Sequence, residues 1–247
     1  MDRSTIDREK SEKLYVQLYQ ILRAKIDSGE WTVGSQIPTE DELCKTFEVS
    51  KATVRLALFD LARQGYLMRQ QGKGTFVCKR VISEGLTMLT SFRELMLEAG
   101  IPFTTTLLAK TVMMPAEDLD IELDIPDDKH IIYIKRLRSV ENEPILLQET
   151  YIPHDVCPNL LNEDIEKDSI FELIDKKYNI KITRIKHFIE ITYTTEEAAK
   201  LLNLPGGSVA LLLSQQLYSG EAQIMYIRSI KRPDRFRFLI ELERKNV

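Results

Sequence analysis

The chain has 247 residues, 43% of them hydrophobic and 29% charged, with Lys+Arg 34 against Asp+Glu 38 and a formal net charge of −4. This composition excludes collagen-like, coiled-coil and disordered chains, and the length allows one large domain or two ordinary ones, each with a real core. The charge is uneven: residues 1–80 hold 14 basic and 11 acidic side chains, residues 81–247 hold 20 and 27, and residues 45–80 alone hold 8 and 2, so an anionic polymer is the expected partner of the N-terminal part only.

Leu14, Leu18, Ile21, Leu22 and Ile26 recur at helical spacing, with Gly29 as a C-terminal stop. In QIPTEDEL, Thr39 and Glu42 have capping-box spacing and open a short helix through Leu43 and Phe47. Ser50 caps a third helix that turns Val54, Leu58 and Leu61 inward and ends at Gly65. YLMRQQGKGTFV then reads as a hairpin with Gly72-Lys73-Gly74 at its tip. Three helices followed by a hairpin is the order of a winged helix-turn-helix. Lys51 and Arg55, four residues apart, project together near the start of the third helix, where a recognition helix meets base edges. An Arg there can grip guanine with two hydrogen bonds, while Ser50 and Thr53 are placed for phosphates. Gly72 and Gly74 let the hairpin backbone approach a groove, and Lys73 adds charge. Taken singly, each of these features is also what a solvated basic surface with a tight turn looks like.

Past residue 80 the pattern changes to strands, at roughly 104–113, 130–140, 145–152, 182–193, 208–219, 222–231 and 235–244, with helices near 91–99, 169–177 and 195–202. Short turns at Glu141–Glu143, Ser219–Glu221 and Arg232–Asp234 imply hairpins and an antiparallel α+β sheet. Ser91 with Glu94 and Ser169 with Glu172 have capping-box spacing. Arg136 and Arg138 share one strand face, where they either sit in water or share an anion. Met225, Ile227, Ser229 and Lys231 alternate onto one face of a later strand. Cys44, Cys78 and Cys157 are odd in number and far apart, and His130, His154 and His187 are scattered, so no disulfide framework, metal or cofactor is expected. No apolar run approaches the ~18 residues of a membrane span, and a cytoplasmic protein is expected.

QIPTEDELCKTFEVSKATVRLALFDLARQGYLMRQQGKGTFV resembles the winged-helix domain of the GntR family of bacterial transcription regulators, with its Pro-Ser/Thr-Glu, Val-Ser-Arg-x-Thr-Val-Arg and Gly-x-Gly-Thr-Phe-Val signatures. The resemblance adds Thr39 to the DNA-contacting set. Asp41 stands where many members have a DNA-contacting Arg, and Lys51 replaces the Arg of Val-Ser-Arg. Further on, TSFRELMLEAG, IKRLRSVENEPILLQETYIP, SIFELIDKKYNIKI, TTEEAAKLLNLPGGSVALLL and RPDRFRFLIEL resemble the UTRA effector domain of the HutC-type branch, which has a chorismate-lyase-like fold and binds small metabolites. In sugar-phosphate-sensing relatives the positions matching Ser91, Arg136, Arg138 and Ser169 hold the phosphate; Thr90, Phe92, Glu149 and Phe171, which stands where a Tyr is common, complete the set implied by the resemblance. Met225 replaces an acidic residue and Lys231 a Tyr on the specificity side, which implies a more acidic or less hydroxylated effector.

The sequence therefore leads to two expected domains, a winged helix-turn-helix over 1–80 and an antiparallel-sheet α+β domain over 81–247 for effector binding and dimerisation. The expected function is a DNA-binding transcription regulator, of repressor type and without enzymatic activity, acting as a homodimer on palindromic double-stranded operator DNA. A two-fold protein on such a site doubles the contacts of one recognition helix. Its effector is expected to be a small anion such as a sugar phosphate or organic acid. The competing readings are a chorismate-lyase-like enzyme and a DNA-binding protein that ignores effectors.

Overall fold

The structure is a computed structural model and describes residues 5–115, 119, 123 and 129–242. It divides into two units, Met1–Ile82 and Ser83–Val247. In the first, α1 (Leu14–Asp27) buries Leu18, Ile21 and Leu22, while α3 (Lys51–Arg63) buries Val54, Ala57 and Leu61. These faces meet Leu43 of α2 (Glu40–Phe47), together with Ile37, Tyr66 and Val77, in one apolar core. Both bonds of the Thr39–Glu42 capping box are made, and the Ser50 hydroxyl accepts the Thr53 amide, so two of the three helices have side-chain caps.

β1 (Leu67–Gln70) and β2 (Gly74–Val77) form the hairpin, in antiparallel register from Leu67 opposite Val77 to Gln70 opposite Gly74. Gly74 has a φ of +124°, and a Cβ there would come within 2.3 Å of the Gln36 amide nitrogen. That nitrogen donates to the Lys73 carbonyl at 3.1 Å, so the tip is clamped to the segment before α2, and only Gly fits.

The second unit is built on a six-stranded antiparallel sheet. Its strands are β4 (Phe103–Met113), β5 (Ile131–Val140), β6 (Glu143–Pro153), β7 (Arg184–Tyr193), β8 (Val209–Ser219) and β9 (Ala222–Lys231), in the order β4-β5-β6-β9-β8-β7. The β5–β6 turn is tight because Glu141 and Asn142 both adopt positive φ, as a two-residue hairpin loop requires. Each face carries a helix. α5 (Ile170–Tyr178) packs Ile170, Leu173 and Ile174 against Ile132, Ile134, Leu217 and Ile227, and α6 (Glu196–Leu201) packs Ala198 against Leu147 and Ile230 of the opposite face. α4 (Phe92–Glu98) precedes the sheet and is opened by a complete Ser91–Glu94 capping box.

Two expectations need correction. The strand expected over 235–244 spans only Phe236–Leu239 as β10, and it pairs not with β9 but with β3 (Ile82–Gly85), a strand the sequence pattern did not reveal; residues 243 and 244 lie outside the described residues. The reason is the pair of arginines that follows β9. Arg232 binds Asp234 and Glu143, both at 2.8 Å, and Arg235 reaches Glu141 at 3.3 Å and also Glu143. Anchored to the β5–β6 turn in this way, the chain leaves the sheet instead of folding back along it. The second correction concerns Ser169: it stands at the N-cap of α5, yet its side chain caps nothing, and its hydroxyl is buried without a hydrogen-bond partner.

Candidate functional site

In the first unit the exposed start of α3 carries Lys51 and Arg55, and both cations are occupied by the first turn of α2. Lys51 Nζ donates to Asp41 at 2.7 Å and Arg55 Nε to Glu40 at 2.8 Å, while Arg69 of β1 stands 3.9 Å from the same Glu40. The Lys51 ammonium holds the Asp41 carboxyl below its usual range, and Asp41 in turn raises Lys51. The unusual Asp41 is thus the counter-charge of the equally unusual Lys51. The Ser50 and Thr53 hydroxyls bond each other at 2.9 Å, and Thr39 serves Glu42. Lys51, Arg55, Asp41, Ser50 and Thr39 are exposed and Glu40 and Thr53 half-buried, and surface pairs of this kind exchange partners at little cost.

The second unit contains a cavity of about 280 Å³ over one face of the sheet. Arg136 and Arg138 enter it from β5, Gln148 and Thr150 from β6, and Met225, Ile227, Ser229 and Lys231 from β9. Thr90, Ser91 and Phe92 close it from the start of α4, and Ser169 and Phe171 from the start of α5.

The electrostatics of this cavity are unusual. Arg136 and Arg138 are 4% and 5% exposed, and among the described residues neither has a carboxylate partner. Both donate to one neutral atom, the Gln148 Oε1, at 3.0 and 3.3 Å. Arg136 adds the Ile165 carbonyl at 3.2 Å, and Arg138 adds the Thr105 hydroxyl at 2.5 Å and lies over the Phe92 ring at 5.1 Å. The Nε of each guanidinium is buried without a partner, as are the hydroxyls of Thr150, Ser169 and Ser229. Burial pushes the Arg136 guanidinium down to about 10; burial, with repulsion from Arg136 and Arg93, lowers Arg138 well below its ordinary range. Both shifts record positive charge held out of water without counter-charge, an arrangement that costs several kcal/mol per ion unless an anion supplies the missing partner.

A model of the UTRA domain matches residues 98–237, and one of the bacterial regulatory proteins of the gntR family matches residues 14–77. The HTH-type transcriptional repressor NagR of Bacillus subtilis is 30% identical over 97% of this chain and 98% of its own length. The mannosyl-D-glycerate transport/metabolism system repressor MngR of Escherichia coli is 30% identical over 94% of this chain and 97% of its own.

The chain belongs to the GntR family.

Its effector half is a UTRA domain, and its function is that of a DNA-binding transcription regulator. Its fold is shared with the crystal structure of PhnF from Mycobacterium smegmatis, at a TM-score of 0.78 and 24% identity over 94% of this chain and 100% of that one. No helix among the described residues is long and apolar enough to cross a membrane.

Within this GntR regulator the cavity collects Thr90, Ser91, Phe92, Arg136, Arg138, Ser169, Phe171, Met225 and Lys231, but not Glu149. Glu149 accepts from the Tyr133 hydroxyl at 2.9 Å and stands 3.8 Å from Lys135, which also binds Glu197 of α6, so it lies on the opposite face of the sheet. The register explains this: Gln148, not Glu149, is opposite Arg136, and side chains alternate faces. Sequence reasoning missed Gln148 and Glu84. Gln148 could have been suspected as a polar residue in an apolar strand, whereas Glu84 carried no signal, because only the pairing of β3 with β10 brings it to the cavity.

Proposed function

We propose that this regulator is a homodimeric, cytoplasmic repressor of a palindromic operator, released from DNA by a small anionic metabolite held between Arg136 and Arg138. The observation that carries the reading is the pair of buried guanidiniums that share one amide oxygen and have no carboxylate among the described residues. Ser169, with its hydroxyl unspent, and Ser91 would complete the anion's hydrogen bonds, and Thr90, Phe92 and Phe171 would wall the same end. Met225 offers the rest of the ligand no acceptor for hydroxyls or amines, and Lys231 offers it a cation, which favours sugar phosphates with an acidic remainder or organic acids. On the DNA side, Lys51 and Arg55 would exchange Asp41 and Glu40 for bases and phosphates, with Ser50, Thr53, Thr39 and the Gly72-Lys73-Gly74 tip on the backbone. That NagR and MngR are named repressors supports this direction of control.

Anion binding and operator binding are linked, so each weakens the other by the same factor. The test is operator affinity by fluorescence anisotropy with and without a panel of sugar phosphates and organic acids. At least one anion is expected to weaken operator binding, with calorimetry giving the reciprocal loss on operator-bound protein; tight binding of a neutral sugar with no anion requirement would overturn the reading. The domain is read as a sensor and not a catalyst, and incubation with chorismate is expected to release no pyruvate above the blank.

A further inference from the structure

The far end of the cavity holds a second buried cation, and the protein supplies its own anion for it. Lys231 is 3% exposed, and its ammonium has three protons to donate. Among the described residues its one hydrogen-bond acceptor is a carboxylate oxygen of Glu84. The rest of the ammonium faces the rings of Phe236 and Phe238, at 4.6 and 5.4 Å. Glu84 does not belong to the six-stranded sheet: it sits on β3, which together with β10 forms a separate two-stranded piece beside the cavity. Both partners line the cavity.

The two cationic ends are related by strand register. Arg138 pairs with Leu146, and Leu146 pairs with Lys231, so both cations lie in one cross-strand row with β6 between them. Two strand spacings place their Cα atoms about 10 Å apart. Leu146 stands between them in that row, and the neighbouring row runs Arg136, Gln148 and Ser229, whose hydroxyl is unpartnered. At one end, then, the cations have no carboxylate paired with them among the described residues, and at the other a cation is paired with a carboxylate from a separate strand.

We infer that Lys231 is the second anion site of the cavity, that Glu84 is an internal ligand occupying it, and that the effector is a two-ended anion carrying a phosphate or carboxylate for Arg136 and Arg138 and a carboxylate that displaces Glu84 from Lys231. This rests on the reading of the arginine end as an anion site. A neutral ligand tail cannot take the place of Glu84, because it would leave the ammonium buried and unpaired; a carboxylate tail can, because Glu84, with its side chain 17% exposed, moves toward water as it leaves. Displacement also removes the side-chain tie between Lys231 and β3, which keeps its pairing with β10; β3 is the segment through which the chain arrives from the DNA-binding unit, so the second anion acts on that unit through direct chain connection.

The experiment uses the full-length protein and three probes: inorganic phosphate, glycerol 3-phosphate and 3-phosphoglycerate. These are respectively a lone anion, an anion with a neutral tail and an anion with a carboxylate tail. Wild type is expected to bind 3-phosphoglycerate at least tenfold more tightly than glycerol 3-phosphate by calorimetry. Glu84→Gln, which removes the competing charge at constant size, is expected to tighten 3-phosphoglycerate binding severalfold and leave inorganic phosphate unchanged. Lys231→Met is expected to erase the preference between the two phosphate esters. Operator anisotropy is expected to show release by 3-phosphoglycerate and not by inorganic phosphate at equal occupancy. The operator-binding signal also verifies that each variant is folded, and the double variant Glu84→Gln/Lys231→Met, which strands no charge, is expected to behave like Lys231→Met. Unchanged or weakened 3-phosphoglycerate binding in Glu84→Gln, or a preference that survives in Lys231→Met, overturns the inference while leaving the arginine site standing. Failure of all three anions to bind wild type overturns both.

Discussion

Lys51 and Arg55 carry their counter-charges with them, on α2, whereas Arg136 and Arg138 carry none. In the DNA-binding unit the cations are exposed, and water screens whatever they lose when a carboxylate is exchanged for a phosphate or a base. In the cavity the cations are buried with neutral acceptors only, and an anion would relieve them. A surface that must scan a long polyanion gains from cheap, reversible pairing; a pocket that must respond to one metabolite gains from a deficit that only that metabolite fills. Lys231 is intermediate, buried like the arginines yet paired like Lys51.

The largest expected effect breaks the buried half of this comparison. Arg136→Ala with Arg138→Ala removes several charge-assisted hydrogen bonds and should weaken anion binding by at least about 100-fold in calorimetry, while operator affinity without ligand stays at the wild-type level. Arg138→Met sharpens the same point through stability. Because the guanidinium is buried without counter-charge, the ligand-free variant should be as stable as wild type or more so, by up to about 2 kcal/mol in urea denaturation, and should lose its response to anions. A loss of stability larger than that would mean that Arg138 is a structural residue.

The exposed half predicts smaller and more local changes. Arg55→Ala should lower operator affinity about tenfold while random DNA binding falls far less, since a base contact carries the discrimination; equal loss on both would make Arg55 a phosphate contact. Asp41→Asn leaves Lys51 without its counter-charge and removes a carboxylate facing DNA. It should tighten binding to operator and random DNA alike by a few-fold and steepen the dependence of log K on log salt by about 0.9. No change in that slope would mean that Lys51 does not reach the DNA backbone.

What the sequence disclosed and what it hid follow from how local the signals were. The Thr39–Glu42 and Ser91–Glu94 boxes and the Gly72-Lys73-Gly74 tip depend on residues within a few positions, and each forms in the structure. The shared face of Met225, Ile227, Ser229 and Lys231 follows from strand alternation alone. Glu149 was misplaced because its face depends on the one-residue register between β5 and β6, which nothing in a single sequence fixes. The Ser169–Glu172 spacing matched a capping box, but the serine makes no cap bond and its hydroxyl is left unspent in the cavity wall. The pairing of β3 with β10 joins residues near 84 to residues near 237, and with it went any chance of seeing Glu84 beside Lys231.

Thermal unfolding against a ligand panel tests most directly whether the two buried arginines await an anion. A ligand at 100 times its dissociation constant adds about 2.7 kcal/mol of stability, enough to raise the melting temperature by several degrees. One or more of the sugar phosphates, phosphorylated acids and organic acids is expected to stabilise the wild type, and none to stabilise Arg136→Ala/Arg138→Ala. Stabilisation of the wild type by neutral sugars alone, or an undiminished response in the double variant, would contradict it.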